Sequence, residues 1–113
     1  MHAIATGEPR PMIRNVRNRD TLPGLPPDAV VEAPCQVDAA GPHPLAPSQP
    51  AGAQLGLLQQ VKAVEQLIIW AAVDRNPDLA VQALALHPLV DSVTVAQGLL
   101  TAYRRTNPAL FAP

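Results

Sequence analysis

Asp28-Ala-Val-Val-Glu-Ala-Pro-Cys-Gln-Val-Asp38, followed after two alanines by Gly41, is the stretch that decides how the rest of the chain is read. Val30, Val31, Ala33, Cys35 and Val37 set small or β-branched apolar side chains between Pro26-Pro27 and the turn residues Ala39-Ala40-Gly41-Pro42. That pattern is a buried or half-buried strand. Positions 31, 33, 35 and 37 share one face and Glu32 and Gln36 the other, because side chains alternate along a strand. Pro34 has no amide hydrogen to donate to a neighbour, which predicts either an edge strand or one broken by a bulge.

Working outward, ten of the fourteen prolines fall in residues 1–50, a region of strands and turns, whereas residues 51–113 read as a helical layer. Met1 to Thr6 has the character of the last turns of a helix stopped by Gly7, without an N-cap before it, as at a cut in a longer chain. A short strand is predicted through Met12 to Val16, and Asp20-Thr-Leu-Pro-Gly-Leu-Pro-Pro27 is a turn region. Pro42 to Pro50 is expected to be an extended surface connector, not an element of its own.

From about Gln54 to Val73 the apolar spacing becomes helical. Leu57, Leu58, Val61, Val64, Leu67, Ile68, Ala71 and Ala72 form one stripe, with Gln59, Lys62 and Gln66 facing away. Ile69, Trp70 and Val73 widen the stripe, so its C-terminal end is expected to be deeply buried. Asn76 then suits an N-cap, Pro77 the first helical position and Asp78 the positive helix start, with His87-Pro88 closing that second helix. Asp91 or Ser92 caps a third helix carrying Val95, Leu99, Ala102 and Tyr103 on one side, Arg104-Arg105 in its last turn and Asn107-Pro108 as its stop.

At 113 residues the chain suits one domain at most, with a modest core. Leu, Ile, Val and Phe together number 30, enough to favour folding over disorder, yet Trp70, Tyr103 and Phe111 are the only aromatics. A net charge of −1 suggests neither a nucleic-acid partner nor an acidic membrane surface. The lone Cys35 excludes an intrachain disulfide, and the apolar run Leu67 to Val73 is far too short to span a bilayer. A cytoplasmic home is the expectation.

No residue pattern here sets out an active site. Cys35 and His43 do not have the spacing or number of a structural zinc motif, and Cys35 reads as a small buried thiol. His87 before Pro88 is read as finishing a helix, and His2 and His43 carry less signal still. Arg10, Arg14, Arg17 and Arg19 hold half the chain's cations. They could receive a phosphate, although a solvated loop balanced by Glu8 and Asp20 is the preferred reading. Glycine-rich phosphate loops, paired catalytic carboxylates and serine-nucleophile elbows are absent.

Several pieces nevertheless occur together in a fixed order. Asn15-Val-Arg-Asn18, Leu22-Pro-Gly-Leu-Pro26, the strand Asp28 to Asp38 with Gly41 and Pro44-Leu45, then Gly56-Leu57, Val61-Lys62, Glu65-Gln66-Leu67 and Ala83-Leu-Ala-Leu-His-Pro-Leu-Val90 resemble the C-terminal portion of glycoside hydrolase family 4. Within that family the resemblance runs to the bacterial 6-phospho-β-glucosidases, with the α-galactosidase and 6-phospho-α-glucosidase branches left open. The fold class implied is α/β, α+β within these residues, forming part of the C-terminal domain of a lactate/malate dehydrogenase-like architecture.

The resemblance implies NAD- and metal-dependent (manganese) chemistry, an exception to the usual glycosidase carboxylate pair. In that chemistry hydride leaves the sugar C3, a divalent metal polarises the oxygen, and a base removes the acidified C2 proton before the aglycone departs. The nucleotide loop, metal ligands, catalytic tyrosine and phosphate-binding arginines of such enzymes belong upstream of these residues, so no catalytic, cofactor or metal residue carries over. For this chain alone neither NAD nor metal binding is expected. Asn15 and Asn18 are the candidates for residues near the substrate, against a capping or turn role for both. The expected partners are a second copy or the missing upstream portion of the enzyme. A stand-alone helical interaction module is the alternative function.

Overall fold

Three antiparallel strands, β1 (Arg10–Arg17), β2 (Val30–Asp38) and β3 (Gly41–Pro44), form a sheet in that order, so the deciding stretch is its middle strand. The structure is a computed structural model and describes residues 2–45 and 49–110. The chain divides into two compact units, Met1–Leu55 and Gly56–Pro113. The fold is α+β.

In the first unit the alternation along β2 behaves as its side chains dictate. Val31, Ala33, Cys35 and Val37 are buried, and Cys35 is completely so. Met12 and Val16 of β1 and Ala3 of the short helix α1 (His2–Thr6) pack against Cys35 and Val37. Gly7 ends α1 in the left-handed region at φ +75°, its N–H bonded to Ala3 O at 3.0 Å, a position where any side chain on Cβ is disfavoured.

Pro34 does not make β2 an edge strand, nor does a bulge occur there. The Pro34 carbonyl accepts from the Leu45 N–H at 2.8 Å. Both backbone groups of residue 34 therefore point toward β3, and opposite Ile13 of β1 the residue occupies a position where the ladder requires no donor. The missing hydrogen is absorbed because β3 stops at Pro44, just where it would have been needed. A second expectation also fails: Gly41–Pro44 is a strand paired to Cys35–Asp38, not an unstructured connector. The β2–β3 hairpin closes over Ala39-Ala40, with Asp38 Oδ1 accepting the Ala40 N–H at 2.8 Å and Gly41 at φ +110°. Residues 46–48 of the expected connector lie outside the described residues.

The second unit holds all of helix α2 (Gly52–Val73) but its first turn, together with α3 (Pro77–Leu86) and α4 (Val93–Thr106). Asn76 caps α3, its side chain accepting from Asp78 N at 2.9 Å and Leu79 N at 3.3 Å. His87 is the C-cap of α3, and of the two candidates for α4 it is Ser92 that caps, accepting the Val95 N–H at 3.2 Å. Ala71, Ala80 and Leu100 form the core, with Leu79, Val81 and Leu84 against it.

Two burial expectations are corrected here. Along α2 only Val64 and Ala71 are buried; Ile69, Trp70 and Val73, expected to be deepest, are exposed, Val73 by 75%. Lys62 does not face away either, its ammonium bonded to Glu65 at 2.7 Å with the side chain 17% exposed. In α4 the buried positions are Ala96 and Leu100, whereas Val95, Ala102 and Tyr103 are exposed. The buried face lies one residue, about 100° of rotation, from the predicted one. Helices meeting through alanine approach more closely than helices meeting through tyrosine or valine, so the small side chains of α2, α3 and α4 took the contact.

Candidate functional site

The loop between β1 and β2 is short of donors. Pro23, Pro26 and Pro27 contribute no N–H, so its carbonyls must find partners elsewhere. Asn18 supplies them from inside. Completely buried, it donates from Nδ2 to the carbonyls of Leu22, Leu25 and Pro26, each at 3.1 Å, and accepts the Leu22 N–H on Oδ1 at 2.7 Å. Two amide hydrogens serving three carbonyls means one is shared. The backbone adds Asn18 N to Ala29 O and Arg19 N to Pro27 O, both at 2.7 Å. Arg19 is thereby held at φ +49°, the left-handed region that arginine ordinarily avoids.

Beside this loop lies a depression of about 280 Å³. Asn15, Val16, Arg17, Arg19 and Thr21 line it from β1 and the loop, and Pro42 and Pro44 from β3. The sequence candidates thus separate: Asn15 is exposed and lines the depression, while every polar atom of the Asn18 side chain is spent on the loop.

The four arginines separate as well. Arg10 pairs with Glu8 at 3.2 Å, where His2 also approaches at 3.4 Å. Arg14 folds onto its own strand, donating to Ile13 O at 3.1 Å and lying 3.1 Å from the Met12 sulfur. Arg17 and Arg19 make no ion pair among the described residues, and Asp20, expected to balance the cluster, pairs with none of them. Sequence spacing marked the cluster but not this division, which depends on where the turn at Asn18 sends each side chain.

At the hairpin, His43 Nε2 lies 3.1 Å from Asp38 Oδ1. The Ala40 N–H, and after it the His43 hydrogen bond, hold the Asp38 carboxyl below its ordinary value. Cys35 Sγ donates to Ala33 O at 3.4 Å from its fully buried position, and His87 Nδ1 accepts the Leu89 N–H at 3.2 Å. Among the described residues no three His, Cys, Asp or Glu side chains gather in one place, as a structural zinc site would require. The sequence has no glycine-rich phosphate loop. No described helix is long and apolar enough to cross a membrane.

Solved glycosidases contain the same arrangement of strands and helices. A 6-phospho-α-glucosidase from gut microorganisms, in complex with NAD and glucose-6-phosphate, matches at a TM-score of 0.91 and 25% identity, over 97% of this chain and 25% of that one. The 6-phospho-β-glucosidase from Thermotoga maritima, solved with manganese, NAD+ and glucose-6-phosphate, matches at 0.84 and 33% identity over 96% of this chain and 26% of its own. The class is therefore that of a C-terminal domain found in phosphoglucosidases.

In sequence, the chain is 35% identical over 104 residues to the 6-phospho-β-glucosidase BglT of Thermotoga maritima, 92% of this chain and 25% of that protein. It is 33% identical over 98 residues to a maltose-6′-phosphate glucosidase of Bacillus subtilis, 87% of this chain and 22% of that protein. The family 4 glycosyl hydrolase C-terminal domain matches residues 1–90. The chain belongs to that family, and it spans about a quarter of the length of the relatives it matches.

Proposed function

We propose that this chain is the C-terminal scaffold and subunit-contact portion of a cytoplasmic 6-phospho-β-glucosidase-like enzyme that acts on phosphorylated glucosides by NAD- and manganese-assisted redox elimination. The observation that carries this reading is one of proportion. Nearly all of the chain, 96%, is accounted for by a quarter of an enzyme solved with NAD+, manganese and a sugar phosphate. The groups that hold the cofactors and do the chemistry belong to the rest of such an enzyme, and the chain alone is inactive. Asn15 lies toward the substrate, and Asn18 acts indirectly by holding the loop that carries Arg19.

Exposed Ile68, Ile69, Trp70 and Val73 on α2 support an association surface, filled by the upstream portion or by a second copy. The same residues support the alternative, a stand-alone helical module. Incubating the isolated chain with 4-nitrophenyl 6-phospho-β-glucoside, NAD and manganese is expected to release no nitrophenol, and turnover above the blank sinks the scaffold reading. Adding the upstream portion of a family 4 enzyme distinguishes the two readings: restored turnover supports the scaffold, and self-association without complementation supports the module.

A further inference from the structure

We propose that the outer edge of β1 is a docking edge for an extended acidic segment of a partner protein, which adds to the sheet as a fourth strand. The inference uses the first unit alone and goes beyond the scaffold reading.

The sheet has two edges, and they are built differently. The Leu45 N–H bond to Pro34 O fixes which residues of β3 face β2: alternation from that pair turns Gly41 and His43 inward and Pro42 and Pro44 outward. Neither outward residue has an N–H, so this edge offers no donor to another chain. The same alternation, carried across β2, agrees with the Asn18 N–H bond to Ala29 O. It sets the backbone of Arg10, Met12, Arg14 and Val16 toward β2 and that of Pro11, Ile13, Asn15 and Arg17 outward. All of these outward residues but Pro11 carry an N–H, and β1 ends the sheet with no fourth strand beside it among the described residues. Ile13, in the middle of the row, is 63% exposed. An extended row of open donors and acceptors is what strand addition uses.

Charge decides the occupant. β1 carries Arg10, Arg14 and Arg17 and no acidic residue. Arg10 is already paired with Glu8, whereas Arg14 and Arg17 make no ion pair among the described residues. A second copy pairing antiparallel through this edge would bring both sets of arginines to one seam. In the register that matches Ile13 to Asn15, Arg14 stands directly opposite itself, and like charges so placed repel. An acidic strand reverses the sign of that term. On an antiparallel strand the residues facing Arg17 and Arg14 are three apart, so the fitting pattern is a carboxylate, two other residues and a second carboxylate. Arg14 also guards the edge, because its guanidinium donates to the outward Ile13 O at 3.1 Å. A carboxylate on the incoming strand draws it away and frees that carbonyl for a backbone N–H.

The test uses the full chain, ¹⁵N-labelled, with the capped peptide Thr-Glu-Val-Thr-Glu-Val-Thr, followed by amide hydrogen exchange. Without peptide, the Ile13, Asn15 and Arg17 amides should exchange faster than those of Met12, Arg14 and Val16, and equally at every protein concentration. Peptide at about ten times its dissociation constant should slow the three outward amides about tenfold. Glutamine in place of both glutamates should weaken binding, and proline in place of the central threonine, which faces Asn15, should abolish it. Arg14→Gln and Arg17→Gln should each weaken it about two- to fivefold, the range of an exposed ion pair, while Arg105→Gln leaves it unchanged. Ile13→Pro removes an outward donor without touching the ladder to β2, so the remaining amide spectrum should stay folded while protection at Asn15 and Arg17 disappears. No protection at millimolar peptide, undiminished binding by Ile13→Pro, or equal binding of the glutamine peptide overturns the proposal. So does protection that grows with protein concentration alone, which makes a second copy the occupant.

Discussion

Replacing Asn18 by alanine should loosen the β1–β2 loop more than any exposed substitution in the first unit. The Leu22 N–H loses its acceptor, and an unsatisfied, partly buried donor costs about 1–3 kcal/mol. The Leu25 carbonyl loses a donor in a buried position, worth about 1 kcal/mol, whereas the Leu22 and Pro26 carbonyls are part-buried and recover part of theirs from water. The sum is about 2–4 kcal/mol, or roughly 30- to 900-fold in an opening equilibrium at 1.36 kcal/mol per decade. Amide hydrogen exchange measures this at Thr21, Leu22, Leu25 and Ala29, whose N–H groups bond within the loop.

Asn18→Asp sharpens the test. It keeps an oxygen for Leu22 but sets an ionised carboxylate against three carbonyls at zero exposure, so at neutral pH it should be worse than alanine. The gap should narrow in acid, where the protonated carboxyl donates again. Exchange accelerated by less than about threefold in Asn18→Ala, well short of the cost of one unsatisfied donor, or an aspartate tolerated at neutral pH, would refute the claim that this amide holds the loop.

Two further outcomes follow from the geometry. Leu100→Ala removes the largest buried side chain from a cluster whose other buried members, Ala71 and Ala80, cannot swell to fill the space, so a cost of about 2–5 kcal/mol is expected, read as a lower unfolding midpoint by Trp70 fluorescence. Asp38 sits below its ordinary carboxylate value, so it favours the fold above that value and loses its contribution as pH falls through the lower folded one. His43→Gln should raise the midpoint of a carboxyl-carbon titration only part of the way, because the Ala40 N–H, the larger cause, remains; a full return to the ordinary value contradicts that ordering.

Local rules with a chemical mechanism were legible. The alternation of β2, the Asn76-Pro77 start of α3, the Gly7 stop and the buried Cys35 each depend on a few neighbours and are present in the structure. Pro34 was misread because a strand's neighbours lie elsewhere in sequence, and only the length of β3 makes the missing N–H harmless. The face of α4 and the widened end of the α2 stripe were misread for a related reason, although the two buried residues of α2, Val64 and Ala71, do lie on the predicted stripe. Periodicity finds an apolar stripe, but in Leu67 to Val73 apolar residues occupy every direction, and alanine, the weakest hydrophobic signal, took the buried positions. Asn18 illustrates the limit at the site: its type and place at a strand end were visible, but not that three prolines downstream would leave carbonyls for it to satisfy.

The distribution of apolar surface in the helical unit bears on what its fold is for. Its buried residues are Val64, Ala71, Ala80, Ala83, Ala96 and Leu100, four alanines with one valine and one leucine. Exposed on the same helices stand Leu57, Ile68, Ile69, Trp70, Val73, Leu86, Val93, Val95 and Tyr103. Burying a large aliphatic or aromatic side chain contributes about 1.5–3 kcal/mol, and each alanine well under that. Appreciable hydrophobic free energy is therefore still available outside this core. Alanine contacts define how closely the helices pack, while the larger side chains on the outside supply what a covering surface would gain. That division suits the proposed scaffold, which a covering surface would stabilise by mass action.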